Sequence, residues 1–217
     1  MTSLIDQTLG DLATDLPGAT RVFHQHQLDF CCGGQQTLRE ACVRRGLDAD
    51  AITAQLQALH GDTDQPDWRQ ASNTELIEHI LTRFHARHRE QLPELIRLAS
   101  RVEQVHGQNP TCPNGLAEHL WNMQQELESH MLKEEKILFP LLLSEPPHPH
   151  AQGPIAVMRY EHDQHGEALA RLNEMTDDIT PPPHACNTWR ALYRGLAELR
   201  DDLMQHIHLE NNVLFAR

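Results

Sequence analysis

The chain has 217 residues, enough for one large domain or two small ones. Its net charge of -13 argues against nucleic acid or an anionic membrane as partner, since both need a basic face. Low aromatic content (5%), no alternating β-branched run and no apolar stretch near the roughly 20 residues of a membrane span together predict an all-helical protein outside the bilayer.

The N-terminus, Met1-Thr-Ser-Leu-Ile-Asp-Gln7, has no basic segment ahead of an apolar one, so the expected location is cytoplasmic. Short helices are expected over Leu9–Leu16, ending at Pro17-Gly18, and over Ala19–Leu28, running up to Cys31-Cys32-Gly33-Gly34. Leu38–Arg45 should stop at Gly46, and Ala51–His60 follows two capping candidates, Asp48 and Asp50. Gly61-Asp-Thr-Asp-Gln-Pro-Asp67 is polar and helix-breaking. It divides a small N-terminal helical domain, 1–62, from a linker, 63–73, and a C-terminal domain, 74–217. Four longer helices follow, about Thr74–His106, Gly115–Leu143, Pro154–Ile179 and His184–Phe215. The proline-bearing connections at 109–113, 146–149 and 181–183 cannot continue a helix. Long helices joined by short connections predict an up-down four-helix bundle.

The inward seams of these helices single out a few histidines among sixteen. The last helix reads Trp189, Leu192, Leu196, Leu199, Leu203, His206, Glu210, Val213. The second reads Leu116, Leu120, Met123, Leu127, His130, Glu134, Ile137, Leu141. The first, Leu81, His85, His88, Leu92, Leu95, and the third, Ile155, Met158, His162, His165, Leu169, are also interrupted by two polar residues. Two stretches share the pattern H-x-x-x-E-x-x-x-L-F, one starting at His130 and one at His206. Residues four apart lie on one helical face, so each stretch aims an imidazole and a carboxylate at one point. Forty-five residues separate His85 from His130, and forty-four separate His162 from His206. The chain thus reads as one helical hairpin used twice, offering four histidines and two glutamates.

Burying two facing carboxylates among leucines costs several kcal/mol unless cations bridge them. His85, His130, Glu134, His162, His206 and Glu210 are therefore the expected ligands of a two-metal site. Structural zinc prefers thiolates, which these seams lack. Haem would leave both glutamates unexplained. Ferritin-type sites use Glu-x-x-His rather than His-x-x-x-Glu. Iron is the metal that best suits this nitrogen-rich set. His88 and His165 lie one seam step further on and fit outer-sphere donors, spare ligands or polar groups of a pocket. Glu135 and His208 are expected at the surface. His106 lies 21 residues beyond His85, roughly 31 Å along a helix, and is left out, as are His148, His150 and His184.

The C-terminal two-thirds resembles hemerythrin-like domains, and the whole chain resembles the iron–sulfur cluster repair di-iron family (RIC or ScdA-like). The resemblance rests on Asp29-Phe-Cys-Cys-Gly-Gly-Gln-Gln-Thr-Leu38, Arg87-His-Arg-Glu-Gln-Leu-Pro-Glu-Leu95, His130 to Pro140, Glu161-His-Asp163, Thr180-Pro-Pro-Pro183 and Asp202 to Phe215. It implies a stress protein that restores clusters damaged by nitrosative or oxidative challenge. It also implies two iron ions in an oxo- and carboxylate-bridged centre, with Glu134 and Glu210 as the bridging carboxylates. The implied partners are damaged or apo iron–sulfur proteins, with nitric oxide or dioxygen as small ligands; the chain would be a monomer or homodimer. Donation of iron is the leading reading. Reduction of nitric oxide at the irons, or simple carriage of nitric oxide or dioxygen, are the alternatives.

Five cysteines, two of them adjacent, make no disulfide framework. A vicinal disulfide between Cys31 and Cys32 would be strained, because neighbouring Cα atoms are only 3.8 Å apart. Gly33-Gly34 should let the backbone turn and expose both sulfurs. The pair is read either as a thiol relay that accepts iron, nitric oxide or electrons and passes them toward the bundle, or as a buried apolar pair. Cys42, Cys112 and Cys186 are expected to be structural.

Overall fold

The computed structural model describes residues 3–16, 18–59, 67–144 and 151–217. Pro17, most of the helix-breaking stretch and the Pro146–Pro149 connection with His148 and His150 lie outside the described residues. Of the expected linker, 67–72 are described, forming a mostly exposed turn. The fold is all-α, with no β-strand among the described residues; one isolated antiparallel bridge joins Thr8 and Thr37. Among those residues, no helix is long and apolar enough to cross a membrane. By contact the chain divides into two compact units, Met1–Ser72 with Met204–Arg217, and Asn73–Leu203.

The first unit contains α1 (Leu9–Asp15), α2 (Ala19–Gln25), α3 (Leu38–Arg45) and α4 (Ala49–Gln57). Thr8 caps α1, and Asp48 caps α4 by accepting from Asp50 N and Ala51 N, so α4 starts two residues earlier than expected. A full capping box, Thr37 with Glu40, opens α3, and Gly46 closes it at φ 66°. Helix α2 ends at Gln25, three residues short of the expectation. Gln27 takes φ 53° and Leu28 N donates back to Phe23 O at 2.8 Å, which turns Leu28 inward. The core gathers Leu9, Leu12, Phe23, Leu28, Phe30, Leu38, Ile52 and Leu56, with Met204 of the C-terminal segment packed against it.

The bundle helices are α5 (73–106), α6 (116–142), α7 (Gln152–Met175) and α8 (187–214). Helix α5 packs on α6, and α6 on α7. Three of them contain a π-helical turn, Ile80–His85 in α5, Glu134–Leu138 in α6 and Glu210–Leu214 in α8. A π turn inserts an extra residue and rotates the next stretch of helix by about 100°. This corrects the α6 seam: Ile137 is 53% exposed, and Leu138 is buried in its place. In α5 the same effect leaves Leu81 half-buried while Ile80 and Phe84 are buried. Helix α7 ends at Met175 rather than Ile179. Asp177, Asp178 and Ile179 all take left-handed backbone (φ 51°, 53° and 55°), and the Thr176 hydroxyl accepts from Ile179 N at 3.1 Å.

Candidate metal centre

Each of the three π turns falls on an expected ligand. One ends on His85, one begins at Glu134 and one begins at Glu210. Such turns disturb the regular hydrogen-bond ladder and persist where a side chain must be aimed off the regular helical face. His85, His130, Glu134, His162, His206 and Glu210 are all essentially inaccessible to solvent.

Glu134 is the pivot. Its Oε2 lies 3.4 Å from His85 Nε2, and its Oε1 lies 3.4 Å from His130 Nε2. The same His130 Nε2 stands 3.2 Å from His162 Nε2. Along α8, which is one continuous helix, His206 Nε2 lies 3.2 Å from Glu210 Oε1. Atoms that share one ion through bonds of about 2.1 Å at right angles sit about 3 Å apart, so these spacings suit shared coordination. Within the second unit, His85, His130, Glu134 and His162 bring three imidazoles and a carboxylate together, and within the first, His206 and Glu210 pair an imidazole with a carboxylate. Neutral nitrogens combined with carboxylates in this way suit transition-metal cations.

The remaining nitrogens of two of these imidazoles are fixed from outside. His85 Nδ1 donates to Glu135 Oε1 at 2.8 Å. Glu135 also accepts from Arg89 NH1 at 2.8 Å, and Arg89 is braced by a bidentate pairing with Glu128 at 2.8 and 3.0 Å. His130 Nδ1 donates to Glu161 Oε2 at 2.9 Å, and Lys133 Nζ holds the other oxygen of Glu161. An ionised carboxylate only accepts, so the proton resides on Nδ1 and the Nε2 lone pair is turned toward Glu134. Partial burial pushes Glu135 and Glu161 up. The cation and imidazole contacts outweigh it and hold both below the usual carboxylate range.

Helical position alone puts Glu135 at the surface, but it reaches across to the neighbouring helix and is no bystander. His208 is also buried, not exposed. It packs on Phe30 (ring centroids 5.6 Å apart) and meets Thr14 Oγ1 and Asn212 Nδ2 at 3.2 and 3.0 Å. Neither His88 nor His165 enters the two donor groups. His88 lines a cavity of about 100 Å³ with Arg89, Leu92, Gln124 and Met131, and the His165 ring stands edge-on to His130 at 5.0 Å. His106 is far along α5, beside Cys186 at 3.3 Å.

In the first unit, Cys31 and Cys32 are not joined in a disulfide, and their sulfurs lie 3.8 Å apart. The expectation that both are exposed is corrected: Cys31 is buried and Cys32 half-buried. Asp29 organises the loop, with Oδ1 accepting from Cys31 N, Cys32 N and Cys31 Sγ at 3.1, 3.0 and 3.2 Å, and Oδ2 from Gly33 N at 3.0 Å. The Cys32 sulfur, burial and the Asp29 charge keep the Cys31 thiol protonated well above the usual range. Neither Gly33 nor Gly34 takes a positive φ. They are needed for close approach instead: a Cβ on Gly34 would stand 2.6 Å from Phe30 O, and one on Gly33 would stand 2.6 Å from Gln36 Nε2. Asn211 and Asn212, directly after Glu210, donate to Cys31 O and Phe30 O at 3.2 and 3.3 Å.

The sequence is similar to known proteins along nearly its whole length. Residues 76–217 match the hemerythrin HHE cation binding domain, and residues 5–60 match ScdA_N, described as a domain of unknown function. The chain is 51% identical to the iron-sulfur cluster repair protein YtfE of Citrobacter koseri over 99% of its own length and 97% of the relative's. It is also 51% identical to the YtfE proteins of Escherichia coli O1:K1 and Escherichia fergusonii, over 98% of this chain and 96% of each relative. Buried histidines and glutamates on π-distorted bundle helices, an organised Cys-Cys-Gly-Gly loop and near end-to-end similarity lead to one assignment: the chain belongs to the hemerythrin-domain family of iron–sulfur cluster repair proteins.

Proposed function

We propose that this protein repairs iron–sulfur clusters damaged by nitrosative or oxidative stress, in the cytoplasm, by giving up iron from a two-iron site. The site would be held by His85, His206, His130 and His162, with Glu134 and Glu210 shared by both ions. The observation that carries the reading is Glu134, whose two oxygens each face a different imidazole at 3.4 Å. Two irons in this donor set would supply labile iron as the substrate of repair. Four neutral imidazoles and two carboxylates would leave a pair of divalent ions only partly neutralised, and so would hold them less tightly than an all-carboxylate cage. Glu135 and Glu161 keep His85 and His130 turned inward in the metal-binding tautomer, and the leucine-rich seams keep bulk water away.

Cys31 and Cys32 form the second part of the proposal, a thiol relay toward damaged or apo iron–sulfur proteins. Asp29, Cys31 and Cys32 offer three donor atoms within 4.8 Å of one another, and the half-buried Cys32 is the one a client could reach first. The test is restoration of a damaged [4Fe–4S] enzyme by the iron-loaded protein. Wild type should restore it, and a Glu134→Leu, Glu210→Leu variant should not. Equal repair by that variant sinks the proposal.

A further inference from the structure

The second unit holds an arrangement that repair by iron donation does not use. Cys186 is exposed, whereas Cys31, Cys42 and Cys112 are buried and Cys32 is half-buried. Its carbonyl accepts from Arg190 N at 2.9 Å, which places the residue at the opening of α8. The approach to it is pinned. Arg190 donates from Nε to Ala185 O at 3.0 Å and from NH2 to Pro183 O at 2.9 Å, and Ala185 N donates to Pro182 O at 2.9 Å. Held there, the Cys186 sulfur lies 3.3 Å from Nε2 of His106, in the last turn of α5. The His106 ring packs 5.2 Å from the fully buried Trp189, which orients it. His184 stands edge-on to the same indole, with its Nε2 engaged by Asn109 and Thr111 at 2.7 and 3.3 Å.

A nucleophile and a base within hydrogen-bond reach, with the base oriented by a third group, is the arrangement that activates a thiol. Burial alone explains a structural cysteine and makes it inert; it pushes the Cys42 and Cys112 thiols up. Cys186 is exposed instead, and its sulfur faces an imidazole. It is also remote from the metal centre, since His106 is about 31 Å along α5 from His85.

We propose that Cys186, with His106 as its base, is a reactive surface thiol that forms a mixed disulfide with an oxidised low-molecular-weight thiol. His106 accepts the proton from Sγ. The sulfur attacks one sulfur of the small disulfide; the Sγ–S bond forms as the old S–S bond breaks. The departing thiolate takes up the proton, so one disulfide replaces another and no outside electrons are needed.

The test uses the full-length protein with its metal, glutathione disulfide as probe, and peptide mapping to assign and time the adduct. At neutral pH, Cys186 should carry the fastest-forming adduct, about tenfold faster in the native protein than in the urea-unfolded chain. His106→Gln should slow it by at least about tenfold, with the difference closing at alkaline pH, where the thiol ionises unaided. An unchanged rate in His106→Gln, or an adduct on Cys32 with Cys186 untouched, overturns the proposal. If His106→Gln does not fold, the native-against-unfolded comparison on wild type decides, and equal rates there overturn it too.

Discussion

Replacing Glu135 by leucine removes the acceptor that fixes His85, without touching any proposed ligand. In the native structure His85 Nδ1 donates to Glu135 at 2.8 Å, and Arg89 and Glu128 hold that carboxylate in place. Loss of such an outer partner lowers metal affinity by about 10- to 100-fold, or about 1.4 to 2.7 kcal/mol. The loss should be one-sided, because His130 stands 3.2 Å from His162 and has its own acceptor in Glu161, which the substitution leaves in place. Anaerobic titration of the ferrous protein with a competing chelator should therefore show wild type giving up two irons over one range. The variant should give up one of them at a chelator activity about 10- to 100-fold lower, with the other little changed. Glu135→Gln keeps an acceptor oxygen and should fall between the two. Unchanged affinity, or equal weakening at both ions, would refute this account of how His85 is held.

Burial drives the His208 imidazole down to about 4 from an ordinary 6.5, only partly opposed by a hydrogen bond with the Phe30 backbone. A histidine of this kind takes up its proton on unfolding. Its contribution is therefore complete above pH 6.5 and is lost as pH falls from there toward 4, by up to about 3 kcal/mol. Urea midpoints of wild type should fall more steeply with acid over that window than those of His208→Gln; parallel curves would contradict the assignment. Gly34→Ala should destabilise the first unit by about 1–3 kcal/mol, since its Cβ would press on Phe30 O at 2.6 Å and on the Asn212 amide at 3.0 Å. Thermal melts read this directly, and an unchanged midpoint would show that the loop can relax.

Much of the site is legible in the chain because helical periodicity is rigid. A seam that is apolar except for His130 and Glu134, or His206 and Glu210, must bring those residues inside, and the burial of all six expected ligands follows from it. The capping box of α3 and its closing glycine are likewise readable from local chemistry. What periodicity cannot supply is its own interruption. No residue type announces a π turn, so regular spacing points Ile137 inward when the extra residue turns Leu138 there instead. Nor does a helical wheel reveal Glu135 and Glu161. Each sits beside a ligand in sequence yet serves an imidazole on another helix, and only packing decides such pairings.

By itself the sequence determined where the long helices lie and which histidines and glutamates fall on their inward seams, because these depend on spacing along one chain and on residue type. Only the tertiary structure decided which imidazole each Glu134 oxygen faces, which carboxylate holds each outer nitrogen, why Gly33 and Gly34 lack side chains, and that His106 meets Cys186. Those are contacts between residues far apart in the chain. Their geometry is set by how helices pack and where they bulge, not by any local preference of the residues that make them.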